Sequence, residues 1–230
     1  MDWQVICDFD GTIAVDDVTD RLLGQFANSR WLEIERDWRA GRIGSRECMA
    51  LQIALLECDM AEIERFAATM PIDPAFPAFV RDCDALGLPL LIVSDGLDAA
   101  IRAVLGRHGL QDIPIYSNRL CSDGEALFLE FPHGDTACAV GSGTCKCAVS
   151  ARHGGGRRTL LIGDGTSDFC LARQADLVFA KDRLLDYCRD HRLPHHAYAG
   201  FADIRSLLPT LTAGQRRAVP ARTTSAIGVA

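Results

Sequence analysis

Apolar residues along this chain follow two rhythms. Trp3–Cys7 is a short, unbroken apolar-rich run that ends in Asp8-Phe9-Asp10-Gly11-Thr12, which predicts a buried strand feeding a turn. From Asp16 to about Ala85 the spacing becomes helical. Val18, Leu22 and Phe26 recur every four residues; Trp31, Ile34 and Trp38 keep the same period, as do Met49, Ile53 and Leu56. Asp59 with Glu62 predicts a capping box for a helix to about Thr69, and Pro71, Pro74 and Pro77 then punctuate the chain. Phe76, Phe79, Cys83 and Leu86 predict one more helix, closed by Gly87.

After Gly87 short apolar runs alternate with helical stretches. Strands are expected at Leu88–Val93, Ile113–Tyr116, Leu127–Phe131, Thr159–Ile162, Leu177–Ala180 and near His196–Tyr198. Helices are expected at Asp98–His108, Cys145–His153, Ser167–Gln174, Arg183–His191 and Phe201–Leu208. This alternation predicts an α/β fold with a doubly wound, mainly parallel sheet. The helical stretch after the first strand is too long for a structureless loop and predicts a small inserted cap. The expected organisation is a core of residues 1–14 and 81–212, a helical cap of residues 15–80, and a mobile tail of residues 213–230.

Composition narrows the function. No run of 18 apolar residues exists, and the N-terminus has neither a basic start nor a long apolar stretch, so a cytoplasmic protein without a membrane span or secretory signal is expected. The net charge of −7 argues against a general nucleic-acid binder. Ten cysteines in 230 residues fall short of a disulfide scaffold, and Cys7, Cys83, Cys170 and Cys188 sit in apolar patterns as packing residues. Cys138, Cys145 and Cys147 with His133 offer a zinc alternative, but their spacing does not match paired zinc knuckles. Cys147 beside Lys146 is expected to be oxidation-sensitive, because a neighbouring cation lowers a thiol pKa.

The chemistry gathers at strand ends. The first strand ends in Asp8 and Asp10, whose side chains alternate away from Phe9, with Gly11 freeing the backbone to turn. Leu88–Val93 ends in Ser94-Asp95-Gly96, and Thr159–Ile162 ends in Gly163-Asp164, with Asp168 one helical turn later. Any one of these segments alone reads as a turn or cap. Three of them at successive strand ends, where open parallel sheets bind ligands, point to one site. Clustered carboxylates require a compensating cation, and Mg²⁺ is the usual oxygen-bound ion beside a phosphate. A carboxylate nucleophile, a second acid, a metal and a lysine together suggest phosphoryl transfer. Lysine and arginine total 24, of which only Lys146 and Lys181 are lysines, so a lysine-dependent step has two candidates.

These motifs resemble the haloacid dehalogenase (HAD) superfamily of Mg²⁺-dependent phosphohydrolases over nearly the whole chain. The resemblance implies that Asp8 is the nucleophile forming an aspartyl-phosphate, and that Asp10 protonates the leaving alcohol and then activates water. It implies that Ser94 binds the phosphoryl oxygens and that Lys146 is the third-motif lysine. Lys181 falls after Asp168, out of order, and reads as structural. The implied metal ligands are Asp8, the Asp10 backbone carbonyl and Asp164, with Asp168 supporting directly or through water. Asp95 and Gly96 join Ser94, Lys146 and Asp17 as expected substrate contacts. Asp17 stands where phosphoserine phosphatases hold an amine with a glutamate; it reads equally as an acid at a helix N-terminus.

The insert after the first motif resembles the phosphoserine-phosphatase-like branch. Phe131-Pro132-His133, Gly143-Thr144-Cys145-Lys146 and Asp176 to Lys181 resemble the 2-hydroxy-3-keto-5-methylthiopentenyl-1-phosphate phosphatases within it. The carboxylate-binding cap arginine of phosphoserine phosphatases aligns near Ala50, with Arg46 close by. Phe26, Trp31 and Trp38 read as cap core rather than a substrate box. The expected partner is a small soluble phosphate ester. The rivals are a phosphotransferase with a non-water acceptor and a non-catalytic phosphate-ligand-binding regulator.

Overall fold

The computed structural model describes residues 2–138 and 140–213. Seven strands form one sheet: β1 (Trp3–Cys7), β2 (Leu90–Leu97), β3 (Ile115–Ser122), β4 (Leu127–Glu130), β5 (Arg158–Gly163), β6 (Leu177–Ala180) and β7 (His195–Ala197). Their order is β4-β3-β2-β1-β5-β6-β7, parallel throughout except for the β3–β4 hairpin. β1 is central, and the chain winds outward from it in both directions. The crevice where the winding reverses therefore opens beyond the carboxyl ends of β1, β2 and β5.

The apolar strands are nearly continuous because both faces of the sheet are covered. Val5, Cys7, Leu90, Ile92, Leu160 and Ile162 face one core cluster, while Ile6, Leu91, Val93 and Leu161 face the other. On the first face, α5 (Phe76–Leu86) packs Phe76 and Phe79 against Phe201 of α10 (Phe201–Ala213), with ring centroids 4.8 and 5.0 Å apart. α6 (Asp98–Gly106) adds Ile101, Val104 and Leu105 to this cluster. On the second face lie α7 (Lys146–Gly154), α8 (Phe169–Ala172) and α9 (Asp182–Asp190).

Four helices after β1 form the cap region: α1 (Val18–Phe26), α2 (Trp31–Arg39), α3 (Ser45–Ile53) and α4 (Met60–Ala67). The chain enters and leaves it side by side. Ala14 bridges Ile72, the Val15 N–H donates to the Pro71 carbonyl at 3.1 Å, and the Asp73 N–H to the Ile13 carbonyl at 2.9 Å. The capping box forms at α4, where the Asp59 carboxylate accepts the Glu62 N–H at 2.8 Å. Gly87 closes α5 in the left-handed conformation, φ 65°.

Several boundaries differ from the sequence expectation. β2 and β3 run further, to Leu97 and Ser122, than their apolar runs indicate. In β3 the extension holds buried Ser117 and Asn118, polar residues that obscure a strand pattern. The helix expected over Ser167–Gln174 is a 3-10 turn at Thr166–Asp168 followed by the four residues of α8. Of the tail expected to be mobile, Ala213 ends α10 and 214–230 lies outside the described residues. Among the described residues no helix is long and apolar enough to cross a membrane.

Candidate active site

Asp8 leaves the end of β1 almost fully buried, the residue being 6% exposed. Its Oδ1 accepts the Phe9 N–H at 2.8 Å and lies 3.0 Å from Lys146 Nζ. Among the described residues Oδ2 accepts no hydrogen bond, which leaves one carboxylate oxygen available to react. Lys146, the first residue of α7, is 2% exposed. Its ammonium donates to Asp168 Oδ1 at 2.5 Å and Ser167 Oγ at 3.0 Å besides pairing with Asp8. Burial alone would depress its pKa, but Asp168 and Asp8 outweigh burial and hold it above the ordinary lysine value, so the cation persists.

Asp168 is fully buried, and its Oδ2 accepts the N–H groups of Asp164 and Gly165 at 3.2 and 3.1 Å. It thus ties the β5 loop to the lysine. Asp164 accepts the Thr12 hydroxyl at 2.8 Å. Gly11 is required at this approach: its φ is +66°, and a Cβ there would lie 2.7 Å from Asp164 Oδ2. Burial raises the pKa of Asp8 well above the usual carboxylate value, with Asp168 and Asp164 adding repulsion against Lys146. Burial and the Asp168 charge push Asp164 up to about 6.

Asp8, Asp164 and Asp168 each offer a carboxylate oxygen, all within 4.8 Å of one another. Three carboxylates face one buried lysine, so net negative charge remains at the site. Hard oxygen donors with uncompensated negative charge fit a hard divalent cation. The Asp10 side chain points elsewhere: Oδ1 accepts the Val18 N–H at 2.8 Å, at the start of the cap. Burial and the Asp17 charge raise its pKa well above the usual value, which suits a group that carries a proton.

Ser94, 1% exposed, accepts the Gly96 N–H at 2.9 Å on its Oγ, leaving its own hydroxyl proton free to be donated. A Cβ on Gly96 would lie 2.6 Å from Asp10 Oδ2, so this glycine makes room for the acid. Asp95 also lines the cavity, yet its carboxylate is engaged by the Thr144 N–H at 2.7 Å and the Ser45 hydroxyl at 3.4 Å. Lys181 is not part of the cavity wall; its ammonium lies 5.4 Å from the Tyr198 ring centroid.

A cavity of about 660 Å³ joins these groups to the cap. Asp17 caps α1 by accepting the Asp20 N–H at 2.8 Å and also lines the cavity. Desolvation at the cavity wall and repulsion from Asp20 raise its pKa. The cap wall adds residues the sequence pattern did not single out. Glu35 accepts Arg39 Nε at 2.9 Å and Gln52 Nε2 at 3.2 Å, with Met49 and Cys48 beside them. The sequence offered the i,i+4 spacing of Glu35 and Arg39 and the helical period that includes Met49, neither of which points to a cavity.

Two expectations are corrected. Trp38 lines the cavity rather than the cap core, whereas Trp31, at the start of the same helix, and Phe26 are partly buried against the core. Cys147 is not activated by Lys146: burial and Cys170, whose sulfur is 3.1 Å away, raise its pKa, and the lysine turns to its carboxylates instead. Cys147 thus faces Cys170 rather than Cys138 and Cys145, and among the described residues the only group placed to hold a metal is the aspartate set. Arg46 does not reach the cavity; its guanidinium lies 5.3 Å from the Phe131 ring and donates to the Ser142 carbonyl at 3.4 Å.

Comparison with known proteins agrees with this geometry. Residues 5–173 match the family described as haloacid dehalogenase-like hydrolase. The chain is 34% identical over 207 residues to a 2-hydroxy-3-keto-5-methylthiopentenyl-1-phosphate phosphatase of Geobacillus kaustophilus, covering 87% of this chain and 92% of that one. It is 31% identical over 208 residues to the protein of the same name from Brevibacillus brevis, covering 89% and 94%. A solved structure described as a phospho-aspartyl intermediate analogue of phosphoserine phosphatase superposes with TM-score 0.63 at 17% identity, covering 91% of this chain and 99% of that chain.

Proposed function

Because the chain belongs to the haloacid dehalogenase-like hydrolases and is a phosphatase of that family, we propose that it is a Mg²⁺-dependent phosphomonoesterase working through an aspartyl-phosphate on Asp8. The observation that carries this reading is the juxtaposition of Asp8 with Lys146 at 3.0 Å and with Asp164 and Asp168.

In the proposed course, Asp8 Oδ2 attacks phosphorus and the ester P–O bond breaks. The departing alkoxide takes the proton of the Asp10 carboxyl. Water then attacks the same phosphorus, the bond to Asp8 breaks, and Asp10 receives the proton of that water. Ser94 donates to a phosphoryl oxygen throughout, while the Lys146 ammonium, held by Asp8, Asp168 and Ser167, would offset the charge of Asp8 and the phosphoryl group. Mg²⁺ held by Asp8, the Asp10 carbonyl and Asp164 would neutralise carboxylate and phosphoryl charge. The cap would exclude bulk water and select the leaving group.

Among substrates, the cap wall favours the methionine-salvage type named for the relatives over a phosphoserine-like one. A substrate carboxylate would face Asp17, Asp20 and Glu35, and Arg39 is already paired with Glu35. Trp38, Cys48 and Met49 offer an apolar stretch that suits an uncharged leaving group. The test is hydrolysis of a generic aryl phosphate, then a panel of phosphate esters. Mg²⁺-dependent release of phosphate, abolished in Asp8→Asn, is expected. No Mg²⁺-dependent release, or full activity in Asp8→Asn, overturns the reading. Product analysis with added alcohols separates hydrolysis from transfer to another acceptor.

A further inference from the structure

We propose that Asp95 is a positioning residue that fastens the cap to the segment carrying Lys146, so that cap docking and placement of the ammonium are one event. Three sets of contacts meet at this residue. Its Oδ1 accepts the N–H of Thr144, two residues before Lys146, at 2.7 Å. Its Oδ2 accepts the hydroxyl of Ser45, the first residue of α3, at 3.4 Å. Its carbonyl accepts the Asn118 amide at 2.5 Å, and Asn118 Oδ1 in turn accepts the Thr144 hydroxyl at 3.2 Å. Asn118 and Thr144 are both fully buried.

The cap has few other polar holds on the core. Among the described residues, every side-chain hydrogen bond from α2, α3 or α4 to the core involves α3, at Ser45, Arg46 or Met49. Arg46 donates to the Ser142 carbonyl at 3.4 Å, and Met49 Sδ accepts from Asn118 Nδ2 at 3.4 Å. These partners, with Asp95, form one connected knot against the strand and loop leading into α7. This network is only part-buried on the cap side, at Ser45, Arg46 and Met49, so its contacts can break there first. Breaking it on the cap side removes an acceptor's partner on Asp95, which also holds the Thr144 N–H. The Thr144 segment is then free to shift, and with it the start of α7.

The test uses the full chain with Ser45→Ala, Asp95→Ala, Asp95→Asn and the Ser45→Ala/Asp95→Ala pair. Hydrogen exchange reads amide protection in segments 45–53 and 142–148; steady-state hydrolysis of an aryl phosphate reads kcat. Asp95→Ala is expected to lower protection in both segments by about 10-fold and kcat by about 10-fold or more. Ser45→Ala should lower protection across the boundary, in 142–148, by about 3-fold, and should change little further in the Asp95→Ala background. Asp95→Asn keeps an acceptor for Thr144 and should recover most of the protection and rate. Unchanged protection of 142–148 in Ser45→Ala, or strictly additive effects in the pair, overturns the proposal. The kinetic arm rests on the hydrolase reading; absent turnover in the parent chain would refute that reading, while the exchange arm would still decide this one.

Discussion

Replacing Gly96 with alanine probes the site through a single added methyl group. The new Cβ would lie 2.6 Å from Asp10 Oδ2 and 3.1 Å from Ser94 Oγ, where ordinary contact begins at 3.4 Å. One of the two sides must therefore yield by about 0.8 Å. Asp10 has little freedom to do so, because its other oxygen accepts the Val18 N–H at 2.8 Å. A displacement of this size in a proton-transfer group is expected to lower kcat by about 10²-fold. Overpacking of the site should also reduce stability by about 1–3 kcal/mol. The assay is steady-state hydrolysis of an aryl phosphate at saturating Mg²⁺, alongside thermal unfolding. Gly24→Ala serves as the control: it lies within α1 with nothing within 4 Å of a Cβ, and should gain about 0.5–1 kcal/mol with kcat unchanged. If Gly96→Ala retains kcat within about twofold, the claim that this glycine makes room for the acid is wrong.

Removing the cation by Lys146→Ala leaves Asp8 and Asp168 buried without their partner, and should cost about 3–5 kcal/mol in denaturant unfolding at neutral pH without metal; an unchanged midpoint would show that the pair is not the compensating one. Mg²⁺ affinity should rise with pH, because protons compete for raised-pKa carboxylates: calorimetric Kd is expected to fall about 10-fold per unit below the Asp164 value of about 6, and a flat profile would exclude this site. The same shift has the opposite sign for the metal-free fold. A carboxyl whose pKa is raised on folding stabilises fully below its unfolded value, and that contribution is lost as pH rises through about 6; metal-free unfolding at pH 4.5 and 7 should show the loss, and Mg²⁺ should restore stability at pH 7.

Much of the candidate site was legible because it is local. Asp8, Asp10, Ser94 and Asp164 follow apolar runs directly, so a strand reading also placed the carboxylates. Lys146 was legible by scarcity, there being only one other lysine, Lys181. The cap wall was not legible. Glu35, Gln52 and Trp38 meet the site only through the way α2 and α3 fold over it, and a helical stripe does not reveal which face looks into a cavity. The role of Asp95 was hidden for the same reason: Ser45 and Thr144 are 50 and 49 residues away in sequence. Cys147 was misread because adjacency to Lys146 in sequence is not adjacency in space at the start of a helix, where successive side chains diverge.

The side-by-side pairing of the two connecting segments at Ala14 and Ile72 has a consequence for how the chain can vary. Everything between them departs from and returns to nearly the same point, held by the Val15–Pro71 and Asp73–Ile13 backbone bonds. Such an excursion can be lengthened, shortened or exchanged without altering the register of β1 against β2, just as insertions are tolerated where chain ends lie close together. Asp73 anchors this junction from the core side, accepting the Phe201 N–H at 3.0 Å and the Ala75 N–H at 2.8 Å. The residues at the strand ends and those of the cap wall thus lie on separable parts of the chain, provided that an exchanged cap keeps its holds on Asp10 and Asp95.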